Sequence, residues 1–421
     1  VFENAKLNNK ASLPAAIVAA YVGYNDYKLS TIDNVKVLGG ELTQDGSQPA
    51  GAIGGIAVKA TITNCEVNAK LTLNVTSTHL AGLGGIAGKT LTNVTIKNCK
   101  CSSEMITTRL TGGMVGWSSN PVVIENCEST VHILSDASGV ASHTDDRAGG
   151  IIGHMSGQGK VVGCTYKGTI ECEGTSAGIA GYMEKASSVE RCSFEGDIIA
   201  KHGNSSGGIA GEIESAFIRN CWAKGSVSCA GQCFGGIVGE VRCASLAADE
   251  TGYSFCVIEN CWSDCSLSGQ RTAGGIAGRV SFRNWVNSSS NPSASEVKHT
   301  LKNCIAWGTQ ISASDKGDSN SKGSCGGVVG YAGAYCYLQN SYRNPNLTID
   351  GSYVSNVPVD QPDCSPSSPF QAGVTPGVAT TYCYPYHGKA AKSGDTVSSL
   401  ASTIGWSTDI WDLSSDFPKL K

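Results

Sequence analysis

A five-residue glycine box recurs nine times along the 421-residue chain, and it limits the fold more than any other feature. The copies are Gly54-Gly55-Ile56-Ala57-Val58, Gly84 to Gly88, Gly112 to Gly116, Gly149 to Gly153, Ala177 to Gly181, Gly207 to Gly211, Gly235 to Gly239, Gly274 to Gly278 and Gly326 to Gly330. The consensus is G-G-[IVM]-[AVI]-G. Second positions are separated by 30, 28, 37, 28, 30, 28, 39 and 52 residues, a base period of 28 to 30 with insertions in three repeats. A second box, apolar-x-Asn-Cys, follows as Ile62 to Cys65, Ile96 to Cys99, Ile124 to Cys127, Ile218 to Cys221, Ile258 to Cys261 and Leu301 to Cys304. Weaker copies end at Cys164 and Cys192, and in the regular repeats the Cys lies 13 or 14 residues past the second box glycine. A third element, Gly-x-Ile, comes next, as in Gly168-Thr169-Ile170 and Gly196-Asp197-Ile198.

Each repeat thus holds three short apolar stretches between Gly, Asn and Ser. Short stretches rich in β-branched residues read as strands, and no helix-length amphipathic window lies inside the repeats. A unit this small cannot bury its own apolar face, so the units must stack. The predicted fold is all-β: a repeat β-solenoid, a parallel β-helix with one coil per repeat, and parallel crossovers favour the right-handed form. Nine or ten coils at about 4.8 Å each make a rod of roughly 45 Å. Four-stranded blades need about 40 residues or more, so a propeller fits less well.

The boxes carry expectations of their own. Repeated glycines mark positive φ or close backbone approach. Ile and Ala of the box should point to opposite faces of a strand, leaving an outer strip of Ala and Gly. Asn at a corner can adopt the left-handed conformation and bond to the Asn of the next coil. Eight of 19 cysteines occupy the repeat position: Cys65, Cys99, Cys127, Cys164, Cys192, Cys221, Cys261 and Cys304. They read as a structural ladder of buried thiols, because side chains on parallel strands point the same way and disulfide torsion is hard to reach. Cys243 with Cys256, and Cys364 with Cys383, are candidate staples outside it.

Residues 1–50 read as an N-terminal coil or cap, with Ala16-Ile17-Val18-Ala19 as a degenerate box. Residues 51–341 form the solenoid. Residues 342–421 hold eight of the 12 prolines and no glycine box, and read as a loop-rich C-terminal cap with a short helix after Val397. Insertions fall at Asp136 to Arg147, Val241 to Val257, Ser281 to His299 and Asp315 to Ser324. Loops of this kind often carry binding in repeat proteins. The chain starts at Val1 without Met or leader, which reads as a mature or trimmed fragment whose targeting signal is out of view.

Composition narrows the function. A net charge of −4 and the lack of a basic stripe argue against nucleic acid as a partner. No run of about 18 apolar residues is present for a membrane-spanning helix. His-Glu-x-x-His, Gly-x-Ser-x-Gly and phosphate-loop motifs are absent, so no catalytic residue, metal site or cofactor is assigned. Acidic residues look scattered: Asp145, Asp146, Glu171, Glu173, Glu184, Glu190, Glu195, Glu212 and Glu214. Asp145 and Asp146 with Glu171 and Glu173 are the one suggestive group, either a binding site or a solvated surface pair. Tyr382, Tyr384 and Tyr386 form the densest aromatic run, either a platform for sugar rings or a plug on the last coil. Phe282 and Trp285 mark the most varied insertion, either a ligand loop or a loop packed on its own aromatics.

The boxes, with Asn-Cys and Gly-x-Ile, resemble the glycine-rich repeats called GLUG repeats. Such repeats occur in large surface proteins of gut bacteria, including Bacteroides proteins named after immunoglobulin A1 proteases. The ending Gly405-Trp406…Trp411…Phe417-Pro418-Lys419-Leu420 resembles the closing pattern of these modules. The resemblance implies a secreted protein or one anchored at the outer membrane. The family's metalloprotease motif is missing here, so its activity transfers to no residue. Three functions stand. The first is a non-catalytic, adhesin-like solenoid presenting a face or loops to a host or dietary glycan or a host protein. The second is a repeat region or degenerate relative of an immunoglobulin A1 protease. The third is a carbohydrate-active β-helix enzyme.

Overall fold

The computed structural model describes residues 1–23, 29–75, 81–135, 146–242, 255–280, 299–314, 325–332, 336–350 and 384–421. Within them the chain is a parallel β-helix. A representative coil has four sides. Face 1 is Ala180–Glu184, face 2 Ser188–Glu190, face 3 Ser193–Ala200 and face 4 Ser205–Gly207. The three apolar stretches expected per repeat are therefore four, because the glycine box joins two strands. Each strand pairs in parallel with its copy in the next coil, as in Thr165↔Ser193↔Trp222↔Trp262 along face 3. Face 1 stacks eleven strands, face 2 ten and face 4 nine.

The core runs down the middle as ladders of like residues. Face 3 contributes Leu71, Met105, Ile133, Ile170, Ile198, Val227, Leu267 and Ile311, all at most 2% exposed. Face 2 contributes Ile62, Ile96, Ile124, Val161, Val189 and Ile218, which are fully buried. Burying each such side chain stabilises by roughly 1.5–3 kcal/mol.

The glycine box is a corner rather than a strand. Gly82–Gly84 ends face 4, and Ala87–Thr90 begins face 1. In the bend between, the Ile86 and Ala87 N–H groups both donate to Met114 O of the next coil, at 3.0 Å each. The expected outer strip of Ala and Gly does not exist: Ile86 and Ala87 are both fully buried, as are Ile179 and Ala180. Of the two roles open to the box glycines, close approach is the one realised. None has positive φ, but a Cβ on Gly88 would lie 2.5 Å from Ala50 N of face 4. Left-handed backbone sits instead at Asn64, Asn98, Asn126, Asn220, Asn260 and Asn303, with φ between 52° and 55°. Their amides bond from coil to coil, as in Asn98 to Asn64 at 3.3 Å and Asn303 to Asn260 at 3.3 Å.

The register corrects the first box. Gly51 pairs with Gly84 and Gly54 with Ala87, so the true copy is Gly51-Ala52-Ile53-Gly54-Gly55, offset toward the N-terminus from the copy that the motif suggests. Gly54-Gly55 mimics the motif but occupies its fourth and fifth positions. The segment before Gly51 supplies strands to the same stacks, and Ala16 to Ala19 forms a box corner beneath Gly51 to Gly54.

The cysteine position is a continuous ladder. The eight thiols are at most 1% exposed, and none of the sixteen described cysteines is in a disulfide. The Cys99, Cys127 and Cys164 N–H groups donate to the sulfur of the next coil at 3.4 Å each. Ser341 takes the place of a ninth cysteine and accepts from Cys304 N at 3.3 Å. The Cys256 thiol donates to Arg242 O at 3.3 Å, while Cys243, Cys364 and Cys383 lie outside the described residues.

The C-terminal residues do two jobs. Tyr384–Tyr386 pairs antiparallel with Val329–Ala332 and closes the end of face 1. The chain from Ala391 onward instead lies on the flank of face 3. There α1 (Val397–Thr403), begun by a Thr396/Ser399 capping box, packs with Trp406 and Trp411 against Trp262 and Ile305. Trp222 and Trp262 stack at 5.1 Å beneath them, and Trp406 Nε1 donates to Asn303 O at 3.1 Å.

Candidate functional site

The residue immediately after each box opens an outer ladder on face 1. In register it runs Tyr21, Ile56, Lys89, Trp117, His154, Tyr182, Glu212, Glu240, Arg279 and Tyr331, one side chain from each of ten coils. The next residue in each strand, such as Met155, Met183 or Ile213, is in the core, so alternation turns the ladder outward. Its first members are open, with Tyr21 41% exposed, whereas Glu240 is 2% exposed.

The ladder is chemically continuous. Lys89 Nζ sits 3.8 Å from the centroid of the Trp117 ring, and Trp117 stacks on His154 at 6.4 Å. Arg147 Nη1 lies 2.9 Å from His154 Nδ1, so that nitrogen accepts and Nε2–H faces Glu184 Oε1 at 3.3 Å. The Arg147 guanidinium covers the Tyr182 ring at 4.0 Å, and Tyr182 Oη donates to Glu214 Oε2 at 2.9 Å. Arg242 then bridges two coils, with Nη1 3.0 Å from Glu212 Oε1 and Nη2 2.8 Å from Glu240 Oε2. Glu240 also meets Arg279 at 3.1 Å and the Ser205 hydroxyl at 3.0 Å.

The expected scatter of carboxylates is thus overturned: Glu184, Glu212, Glu214 and Glu240 gather on one face. The evenly spaced boxes of these coils carry them into register. Their environments separate them. Burial raises the Glu212 carboxyl to about 7, against the Arg242 charge and helped by Glu240. Burial would raise Glu240 as well, but the Arg242 hydrogen bond and the Arg279 charge hold it below its ordinary value.

Protons therefore couple to stability through Glu212. The folded chain keeps its proton up to about pH 7, whereas the ordinary value is 4.5. Stability from this group is full below 4.5 and is lost as pH rises to 7. An E212Q chain should gain about 3 kcal/mol relative to the parent across that range, read from urea midpoints at each pH. A constant difference would refute the assignment. Burial pushes His299 and His387 from 6.5 down to about 4, so their contribution is lost as pH falls and opposes that of Glu212. The variant-minus-parent difference separates the two effects.

Of the residues singled out from the sequence, the described ones lie in separate places. Asp146 is fully buried, with the Ser135 hydroxyl 2.7 and 2.8 Å from its two oxygens and Cys172 Sγ at 3.5 Å. Burial raises it to about 6. Glu171 and Glu173 instead face Lys201. Tyr386 is fully buried, and Tyr384 lies in the same closing strand. Tyr382, Phe282, Trp285 and Asp145 lie outside the described residues. The sequence did carry a signal for the missed ladder: Lys, Trp, His, Tyr, Glu, Glu, Arg and Tyr each follow a box glycine directly.

Strand order and register define the class as an all-β parallel β-helix. No protein-family model and no curated protein matches the chain. Among solved structures it is similar to a "putative immunoglobulin A1 protease" from Bacteroides ovatus, at 14% identity over 99% of this chain and 86% of that one, with a TM-score of 0.29. A similarity of that size assigns neither family nor activity. No described helix is long and apolar enough to cross a membrane.

Proposed function

We propose that this chain is a secreted or cell-surface, adhesin-like β-solenoid that presents face 1 to a glycan or protein ligand without transforming it. The accessible stretch of the ladder, Tyr21, Ile56, Lys89 and Trp117, supports this reading, whereas His154 to Tyr331 are each at most 8% exposed. Several outer positions of face 3 pair opposite charges from coil to coil, as in Lys36–Glu66 at 2.7 Å and Lys100–Glu128 at 2.8 Å, and so neutralise themselves. Face 1 lines up Tyr21, Ile56, Lys89 and Trp117 on four adjacent coils, and Tyr and Trp are enriched in binding hot spots. The full chain applied to arrays of glycans and of host surface proteins should be retained on one class without releasing product. Retention on none, or the appearance of new reducing ends or peptide fragments, would refute it.

One observation favours an enzyme as the second reading. Glu212 and Glu240 are carboxylates on adjacent coils whose proton affinities are driven apart, a pattern of acid–base pairs in glycoside cleavage. Against it, both are at most 8% exposed and both are held by arginine. Release of reducing sugar by the parent but not by E212Q would establish this reading instead.

A further inference from the structure

Several lysines on the strands of this solenoid are neutralised by register. Lys36, Lys70, Lys100 and Lys167 each face a glutamate one coil away, at 2.7, 3.7, 2.8 and 2.8 Å. Lys89 departs from that pattern. Its partners in register are Ile56 and Trp117, and among the described residues no carboxylate lies within ion-pair distance of its ammonium. It is half-buried, and burial alone lowers its pKa, with no anion opposing the effect. The Trp117 ring holds the ammonium from one side at 3.8 Å, and His154 backs that ring on its far side. Tyr21, 41% exposed, and the half-buried Ile56 extend the strip away from Lys89 on the two preceding coils.

Three features coincide here. A cation is partly desolvated without a counter-charge among the described residues. An aromatic ring fixes its position in advance, so little side-chain entropy remains to be lost on binding. An apolar shelf spanning two coil spacings, about 10 Å, lies alongside it. That length and chemistry match one sugar ring carrying an acid group. We infer that Tyr21, Ile56 and Lys89 form a subsite for an anionic sugar, its carboxylate or sulfate paired with Lys89 Nζ and its ring lying on Ile56 and Tyr21. The inference rests on face 1 being the binding face and adds the charge of the ligand. Trp117 acts as a positioning residue for the ammonium.

The test uses the full chain on immobilised polygalacturonate, dextran sulfate and neutral dextran. Retention on one or both acidic polymers and not on dextran is expected, and comparison of the two separates carboxylate from sulfate. K89Q should bind at least about tenfold more weakly, the size of one lost charge-assisted hydrogen bond. K89R should retain binding. K160Q, which removes an exposed lysine on face 2, should bind like the parent. Parent-like binding by K89Q, or an equal loss in K160Q, would overturn the subsite. Equal retention of parent and K89Q on neutral dextran would overturn the subsite while leaving face 1 as a binding surface. Failure to bind any of the three polymers, together with failure on the glycan and protein arrays, would overturn both.

Discussion

A G113A chain should unfold at a markedly lower urea concentration than the parent, with a loss of about 3 kcal/mol or more. The added Cβ would lie 2.2 Å from Gly150 O and 2.2 Å from Ser129 Oγ. Gly150 O belongs to the backbone of the next coil, which cannot move without breaking the ladder on either side. G54A is the matched comparison. A motif-based alignment puts Gly54 in the first position of the box, where a Cβ on Gly84 or Gly112 would sit 1.9 or 2.1 Å from a backbone carbonyl. The observed register puts it opposite Ala87, and its Cβ would meet only the Val22 side chain, at 3.0 and 3.9 Å. G54A should therefore change stability by less than about 1 kcal/mol. A large loss in G54A, or a small one in G113A, would contradict the register.

R242M should be the second large effect, about 3–5 kcal/mol at pH 8, because it strands Glu212 and Glu240 in a buried site. Arg279 remains within 3.1 Å of Glu240, but in the described residues Glu212 has no second ion pair. The loss should shrink below pH 6, where Glu212 is protonated, since its carboxyl titrates at about 7. Replacing Glu212, Arg242 and Glu240 together with apolar residues of similar size should restore much of the stability, because removing a whole buried network avoids unpaired charge. Urea midpoints at pH 5 and 8 for both variants measure this. A pH-independent loss in R242M would mean that Glu212 is not the group left unpaired.

Much of the architecture was legible because stacking repeats the same physical demand every coil. Asn at the corner, Cys behind it and Ile in the core recur because each sits in the field of its own copies about 4.8 Å away. The face 1 ladder was harder to read. Lys89, Trp117, His154 and Glu212 share a position but no chemistry, so no motif marks them. Only the constant offset from the box does. The false box at Gly54-Gly55 shows the opposite failure. Its letters match, but Ala52 rather than Gly55 keeps the usual box-to-cysteine spacing to Cys65, and the Ala52 N–H donates to Gly85 O of the next coil.

The sequence by itself determined that this chain stacks short parallel strands, one coil per repeat, around an apolar centre, with asparagine corners and a ladder of buried thiols at the repeat position. It did so because repetition turns local preference into a long-range pairing rule. Tertiary structure alone decided which residues of different coils meet. It joined Glu212, Arg242 and Glu240 into one buried network, set Lys89 beside Trp117 with no carboxylate among the described residues in reach, and laid Trp406 and Trp411 along the flank of face 3. Those outcomes depend on insert lengths and strand register, which set contacts between residues a full coil or more apart and leave no trace in any single stretch of chain.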